Sequence, residues 1–272
     1  MKKVSIIMGI YNCENTVGES IDSIIGQTYP HWELILCDDG SSDRTYARAK
    51  EYADRYPEQI ILLKNEKNLG LNMTLNKCLE IATGEYIARQ DGDDISLPER
   101  FEKEVAFLEE HPEYAIVSAA MVHVDEQGPW GTSDFPRQPT PADFMRGSPI
   151  AHAPCMIRQE AFRAVGGYSV SPKLLRVEDY HLWYKMYMKG YYGYNMPEAL
   201  YHCSDDRDAQ GRRNFQNRLN ECRMKWMIFR DMKPGLRTLP YLARPLLVGM
   251  LPGPLYRFLH RRKLQTDTQN LS

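Results

Sequence analysis

The sequence lacks the features that mark several large classes of protein. Its 272 residues contain no CxxC pair among six cysteines, no internal repeat and no uninterrupted apolar run of about 18 residues. We therefore expect buried, reduced thiols in a cytoplasmic compartment and no membrane-spanning helix. The composition, 43% hydrophobic and 26% charged, excludes intrinsic disorder, collagen and coiled coil. This length and composition predict one large globular domain or two closely packed ones.

The net charge of the chain is also small, but its charged residues are unevenly distributed along the sequence. Residues 212–263 carry thirteen basic and two acidic residues, a net charge of +11, which leaves −13 for the rest of a chain whose total is −2. The sequence thus predicts an acidic body followed by a basic C-terminal extension.

Over the first hundred residues, short β-rich runs alternate with segments of helical periodicity. This alternation is typical of a parallel sheet built from βαβ units. The first run stops at Gly9 and is too short for a signal peptide, so it predicts a buried strand. The predicted strands are residues 4–8, 33–37, 60–63, 86–89, 115–119 and 155–157, with another before His202, and predicted helices include 98–111 and 178–189. Residues 125–150, rich in Pro, Gly and polar groups, predict a surface connection that orders over a ligand.

Two acidic clusters directly follow predicted strands. Asp38 and Asp39 follow the second strand, and Asp91, Asp93 and Asp94 follow the fourth. The carboxyl ends of parallel strands form the ligand crevice of such sheets, so these carboxylates should face one space. A divalent cation, Mg²⁺ or Mn²⁺, would relieve their repulsion, and a diphosphate would supply its remaining ligands. The alternative is that they are turn and helix-cap residues, and Asp94 in particular suits a cap.

Taken together, the motifs resemble the inverting glycosyltransferases of family 2, which have the GT-A fold. The matching residues, in order over residues 4–205, are Val4-Ser5-Ile6-Ile7-Met8, Tyr11-Asn12, Ser23-Ile24-Ile25-Gly26-Gln27-Thr28, Asp38-Asp39-Gly40-Ser41-Ser42-Asp43, Asn68-Leu69-Gly70, Gly84-Glu85-Tyr86-Ile87-Ala88, Asp91-Gly92-Asp93-Asp94, Leu97-Pro98-Glu99-Arg100, Gly166-Gly167-Tyr168 and Glu178-Asp179-Tyr180-His181-Leu182-Trp183. The resemblance implies an α/β fold of the GT-A type, with a mostly parallel, Rossmann-like central sheet flanked by helices and a helical basic C-terminal extension. It divides the chain into a nucleotide-sugar-binding half (1–97), an acceptor-binding and catalytic half of the same domain (98–211) and the extension (212–272).

The resemblance also implies how the donor is bound. Tyr11 would lie against the nucleotide base, and Asp39 would accept a hydrogen bond from an imide N–H such as uracil N3, which favours a UDP-sugar. Asp91-Gly92-Asp93 resembles the DxD signature, with Asp93 as the metal ligand and Asp91 near the ribose or the outer coordination sphere of the metal. Gly92 would leave room for the diphosphate. The alternative for Tyr11 is that it only covers the edge of the sheet.

The catalytic base of the family lies in a Glu-Asp pair, here Glu178 and Asp179. We expect Asp179 to take the proton of the acceptor hydroxyl and Glu178 to bind or orient the acceptor. Acids at a helix start also complement the helix dipole, which is the structural alternative. His152 and Trp183 are further candidates for the acceptor site, and His202 for the phosphate, although each also suits a packing role.

Two features near the C-terminus bear on the mode of action. Processive relatives carry Gln-x-x-Arg-Trp, whereas residues 210–214 read Gln-Gly-Arg-Arg-Asn, so we expect one sugar to be added per encounter. Residues 236–263 mix apolar and basic side chains with four prolines, which predicts short amphipathic helices on an anionic membrane surface. Packing on the acidic body or on another subunit is the alternative, and nucleic acid is not expected as a partner.

These expectations combine into one function. The sequence predicts a metal-dependent, inverting glycosyltransferase that moves a single sugar from a nucleotide-diphosphate sugar to a glycan or lipid-linked acceptor, in envelope polysaccharide biosynthesis. Its predicted location is cytoplasmic, with peripheral contact to the plasma membrane. A sugar nucleotidyltransferase is an alternative, but residues 8–12 lack the glycine-rich loop that it requires. A non-catalytic carbohydrate- or nucleotide-binding partner is the other.

Overall fold

A computed structural model describes residues 1–133, 135–205 and 215–250. These residues form the strands β1 (Val4–Ile10), β2 (Trp32–Asp38), β3 (Ile60–Lys64), β4 (Tyr86–Arg89), β5 (Ile95–Ser96), β6 (Tyr114–Asp125), β7 (Gly128–Ser133), β8 (Met156–Arg158) and β9 (Tyr192–Ser204). The helices are α1 (Val17–Ile25), α2 (Thr45–Arg55), α3 (Leu71–Ile81), α4 (Arg100–Glu110), α5 (Pro141–Arg146), α6 (Gln159–Val165), α7 (Glu178–Met188), α8 (Phe215–Met232) and α9 (Pro240–Gly249).

The strands form one mixed sheet in the order β3-β2-β1-β4-β8-β6-β9-β5, with β7 paired to β6. Strands β1, β2, β3, β4, β6 and β9 run in one direction, whereas β5, β7 and β8 run against their neighbours. The prediction of an α/β fold with a mostly parallel sheet flanked by helices is confirmed.

The central strands are apolar along their length because helices cover both faces of the sheet. On one face, Ile7 and Ile35 pack into a core with residues of α3, α6 and α7. On the other, Ile6 and Leu34 pack with residues of α1 and α4. Burial on both faces holds the strands in position. The carboxyl ends of β1, β2, β4, β6 and β9 therefore lie at the same edge of the sheet.

Residues 125–150, predicted to form a surface connection, contain regular structure and buried side chains as well as exposed loops. Strand β6 continues to Asp125 and forms a hairpin with β7, and α5 follows with Phe144 and Met145 fully buried. Gly128, at φ 100°, sits at the hairpin turn, and Thr140 forms a capping box with Asp143. The segment is therefore part of the folded body.

The basic extension is helical where it is described. It consists of α8 and α9, joined by a 3₁₀ turn at Leu236–Thr238, as expected for a helical extension, although the bounds of α8 are not evident from the sequence. Residues 210–214, on which single addition was predicted, lie outside the described residues, as do residues 251–263 of the predicted membrane-binding segment. Among the described helices, none is both long and apolar enough to cross a bilayer.

Candidate active site

Tyr11 lies at the end of β1, on a loop that is tied to the loop after β2. The Asn12 side-chain oxygen accepts a hydrogen bond from the Ser42 N–H at 2.9 Å, and the Asn12 N–H donates to Ser41 Oγ at 3.0 Å. Asn12 adopts a positive φ of 48°, which the chain needs to turn at this point. The Tyr11 side chain is 49% exposed, so a large part of its ring remains accessible to a ligand.

Asp39 is only 4% exposed, because residues of the segment between β3 and α3 surround its carboxylate. One oxygen accepts hydrogen bonds from Asn65 Nδ2 and the Leu69 N–H, both at 2.8 Å, and the other accepts from the Gly70 N–H at 2.9 Å. A carboxylate has about four acceptor positions, so three are used internally and one remains for a ligand N–H. Asp39 thus also shapes the loop before α3, a role that the sequence analysis does not include.

Gly92 does not leave room for a diphosphate, and this expectation is wrong. A Cβ at Gly92 would lie 2.9 Å from Ile10 Cγ2 and 3.1 Å from Cys13 Sγ, which points into the protein. The glycine instead allows the acidic loop to pack against the end of β1. The same packing leaves Asp93 exposed and Asp91 partly exposed at the edge of the sheet.

Asp94 is not a helix cap, which corrects that alternative. It is buried, and its Oδ1 accepts a hydrogen bond from the Ser204 N–H at 2.8 Å, so it joins the acidic loop to the end of β9. Burial, with the nearby charges of Asp91 and Asp93, raises the pKa of Asp94 to about 7. Helix α4 begins after Glu99 instead.

Asp93 and His202 line the same open pocket of about 520 Å³, together with Thr16 and Ser204. The described residues contain no cluster of three or more acidic, His or Cys side chains that could hold a metal ion. Mg²⁺ and Mn²⁺ sites in phosphate-transferring enzymes commonly use one or two protein ligands, with substrate phosphates completing the sphere. The exposed Asp93 therefore fits such an ion, and His202 lines the same pocket.

Arg89 is a site residue that the sequence analysis misses. It ends β4 with 6% exposure, and its Nη2 lies 2.5 Å from Asp91 Oδ1. Among the described residues, its buried Nε finds no hydrogen-bond partner. Below it, Arg100 Nη2 donates to the Arg89 carbonyl at 3.0 Å. An arginine that ends a buried strand next to an acidic loop is the signal that could have identified it.

Asp179 lies in the first turn of α7 and accepts a hydrogen bond from Ser148 Oγ at 2.8 Å. Burial raises the pKa of Asp179, while the Ser148 hydroxyl and the charge of Arg89 act in the opposite direction. Glu178 is partly exposed beside it. A raised pKa suits a carboxylate that must accept a proton near neutral pH.

His152 lies just before β8, next to Tyr168 and Trp183. Its Nε2 is 2.8 Å from the Tyr168 hydroxyl, and its ring centroid is 5.8 Å from that of Trp183. Burial and the charge of Arg89 hold the pKa of His152 well below its usual range, so the ring is neutral. Trp183 is 0% exposed, so it cannot contact an acceptor in this structure, and the prediction that it belongs to the acceptor site is wrong. It packs instead behind His152.

The chain resembles known proteins over most of its length. Residues 5–166 match the family described as Glycosyl transferase family 2, and residues 86–261 match Glycosyl transferase family group 2. EpsE of Bacillus subtilis (strain 168), a glycosyltransferase by its name, is 43% identical over 269 residues, which cover 99% of this chain and 97% of EpsE.

Two solved structures share the fold. S. aureus TarS 1-349 in complex with UDP-GlcNAc superposes with a TM-score of 0.67 at 19% identity, covering 90% of this chain and 71% of that one. The mannosyltransferase PcManGT from Pyrobaculum calidifontis, in complex with GDP-Man and Mn²⁺, gives 0.61 at 20% identity, covering 98% and 84%. The fold is that of the GT-A glycosyltransferases. With the family match over more than half of the sequence, the conclusion is that the chain belongs to glycosyltransferase family 2.

Proposed function

We propose that the protein is a metal-dependent, inverting glycosyltransferase that transfers one sugar from a UDP-sugar to a glycan or lipid-linked acceptor. The observation that carries the proposal is the placement of Asp179 beside the acidic edge. Its carboxylate accepts a hydrogen bond from Ser148. The positive charge of Arg89, which forms an ion pair with Asp91, also acts on this carboxylate.

Donor binding is assigned to the ends of β1, β2 and β4. The accessible ring of Tyr11 suits stacking on a base, and the remaining acceptor position of Asp39 suits the N3–H of uracil. TarS, whose structure contains UDP-GlcNAc, supports UDP as the carrier, although PcManGT shows that the fold also accepts GDP-Man. Asp91 would then lie near the ribose.

The proposed metal ligand is Asp93, with His202 facing the same pocket. A divalent cation, Mg²⁺ or Mn²⁺, bound there supplies positive charge to the departing diphosphate. The structure of PcManGT with Mn²⁺ supports a divalent ion in this fold. The chain's own contribution is an exposed Asp93 in the lining of the pocket, next to the buried Asp94.

The chemical step is a single displacement. Asp179 removes the proton of the acceptor hydroxyl, the oxygen attacks the anomeric carbon opposite the diphosphate, and the bond from that carbon to the diphosphate oxygen breaks. Glu178 orients the acceptor, and the neutral ring of His152 lines the space between donor and acceptor. The acid at position 179 therefore carries the catalytic role.

The decisive experiment compares Asp179→Asn with Glu178→Gln. Both are isosteric changes in the first turn of α7, but only the first removes the proposed base, so transfer should fall by about 10²- to 10⁴-fold in Asp179→Asn and much less in Glu178→Gln. UDP release in the presence of acceptor measures transfer, and thermal shifts with UDP-sugars and Mn²⁺ measure donor binding. Unchanged transfer by Asp179→Asn would contradict the role. Diphosphate release from a nucleoside triphosphate and a sugar phosphate would indicate a nucleotidyltransferase instead.

The setting is envelope polysaccharide assembly, with one sugar added per encounter. The exposed apolar side chains of Leu247 on α9 and of Met250 just after it support contact of the extension with an anionic membrane surface. Such contact would place the protein on the cytoplasmic face of the plasma membrane, where a lipid-linked acceptor can reach Asp179.

A further inference from the structure

A second pocket lies beside the proposed base, between α5, α9 and the segment that precedes β8. Its volume is about 450 Å³, and its lining includes Arg146, Ser148, Tyr241 and Arg244. None of the roles assigned above uses this pocket, apart from the hydrogen bond between Ser148 and Asp179.

The polar groups of the pocket favour an anion. Arg244 donates one hydrogen bond, from Nη1 to the Arg146 carbonyl at 3.0 Å, and both guanidinium groups are exposed. The acid in the lining is Asp143. One of its oxygens accepts hydrogen bonds from the N–H and hydroxyl of Thr140 at 3.0 and 2.6 Å, and the other lies 3.5 Å from Arg146 Nη1, which leaves the remaining donors of Arg146 for a ligand. Two arginines with planar donor forks therefore face the pocket, the geometry that suits phosphate oxygens.

The pocket is close to the chemistry. Ser148 lines it and donates to Asp179 Oδ2 at 2.8 Å. Arg146 and Ser148 are two residues apart, so their Cα atoms are separated by at most about 7 Å. Ser148 therefore connects the lining of this pocket to the proposed base, two residues from Arg146.

Helix α9 separates this pocket from an apolar groove on its other side. Leu242 and Leu246 of α9 and Trp226 and Met227 of α8 line the groove, whose volume is about 610 Å³. Helix α9 therefore presents an arginine to the pocket on one face and apolar side chains to the groove on the opposite face.

We propose that Arg146 and Arg244 bind the diphosphate of the acceptor, which is a saccharide diphosphate on a lipid whose chain lies in the groove between α8 and α9. The proposal rests on the proposed function, because it names the acceptor of that reaction. It makes α9, outside the catalytic sheet, the element that selects the acceptor.

The test uses the full chain and three acceptors with the same sugar: a lipid diphosphate, a lipid-free diphosphate and a neutral alkyl glycoside. In the double variant Arg146→Gln/Arg244→Gln, KM should rise at least about tenfold for both diphosphates and stay within about twofold for the neutral glycoside. The lipid diphosphate should have a lower KM than the lipid-free one in the unmodified protein. Arg163→Gln, an exposed arginine on α6, is the matched control and should change none of these values.

The outcomes separate this proposal from the function on which it rests. If the unmodified protein transfers sugar to none of the acceptors with any nucleotide sugar, the proposed function fails. If it transfers but the double variant keeps its KM for the diphosphates, or loses affinity equally for the neutral glycoside, the diphosphate site is wrong. Equal KM values for the lipid and lipid-free diphosphates would overturn the assignment of the groove.

Discussion

At the residue scale, the positive charge of one buried arginine acts on several groups of the candidate site. Arg89 pairs with Asp91 on the donor side, and its charge also acts on Asp179 and His152. It thereby stabilises the carboxylate form of the proposed base, and it adds to the burial that holds the pKa of His152 low and keeps its ring neutral. The Ser148 hydroxyl adds a hydrogen bond to the same carboxylate.

Removal of that hydroxyl should move the pH profile of transfer. In Ser148→Ala, the pKa of Asp179, already raised by burial, should rise further because the ionised form loses a donor. A base must be deprotonated, so kcat/KM of Ser148→Ala should fall relative to the unmodified protein as pH falls and approach it as pH rises. The measurement is kcat/KM between about pH 5 and about pH 8. Ser148→Thr, which keeps the hydroxyl, is the control, and a loss that is equal at every pH would contradict the prediction.

Arg89 allows a separation of charge from geometry. Arg89→Lys keeps a positive charge but cannot reproduce the arginine fork, so kcat/KM should fall by about tenfold or more with little change in the acid limb of the pH profile. Arg89→Gln also removes the charge, so its acid limb should move to higher pH. Identical profiles for the two variants would show that the charge does not act on Asp179. Thermal unfolding of each variant checks that it is folded.

At the element scale, Glu33 forms hydrogen bonds that join the N-terminal ends of neighbouring strands. From β2 it accepts hydrogen bonds from Lys3 Nζ at 2.7 Å, from Ser5 Oγ at 2.5 Å, and from the N–H and hydroxyl of Thr83 at 2.9 and 2.8 Å. Burial alone would raise the pKa of Glu33, but these donors outweigh it and lower the pKa to about 2. The residue joins β1, β2 and the segment before β4.

This lowered pKa predicts a pH-dependent cost for Glu33→Gln. A carboxyl whose pKa falls from 4.5 to about 2 on folding contributes roughly 3 kcal/mol above pH 4.5, and this contribution is lost as pH falls towards 2. The free energy of unfolding of Glu33→Gln should therefore be lower by about 2–3 kcal/mol at pH 7, with the difference shrinking near pH 3. Urea unfolding at both values measures it. Glu51→Gln on the exposed face of α2 is the control, and a pH-independent difference would contradict the interpretation.

The elements differ in how far the sequence can predict them. Strands β1, β2 and β4 are predictable because burial on both faces makes them continuous apolar runs. Helix α8 is not, since its buried stripe mixes the polar Asn220 and Lys225 with Met224 and Ile228, which weakens the apolar periodicity. Helix α5 is short, and only its capping box indicates it.

At the scale of the whole molecule, some features of the candidate site can be predicted from the sequence and others cannot. The acidic clusters and the Glu-Asp pair are predictable, because strand ends and helix starts are local features that the topology then brings to one edge. The burial of Trp183 and the contact of His152 with Tyr168 are not, since both depend on packing between distant segments. The pocket between α5 and α9 that Arg146 and Arg244 line likewise requires the full fold.

The uneven charge of the chain leads to a last prediction, about where the molecule works. The +11 extension presents Leu247 at 62% and Met250 at 81% exposure, so its apolar and basic groups can contact a membrane together. Full insertion of one such side chain is worth about 1.5–3 kcal/mol, so Leu247→Ser/Met250→Ser should weaken binding to anionic liposomes by at least about tenfold.

Flotation with anionic and neutral liposomes, at low and high salt, measures this binding. Because exposed charges are screened by salt, binding of the unmodified protein should also fall as salt rises, and it should be weak on neutral liposomes. Met188→Ser, the same type of change at an exposed position of α7, should bind like the unmodified protein. If the double variant floats as well as the unmodified protein does, the extension does not dock on lipid, and its charge must instead serve the acidic body or another subunit.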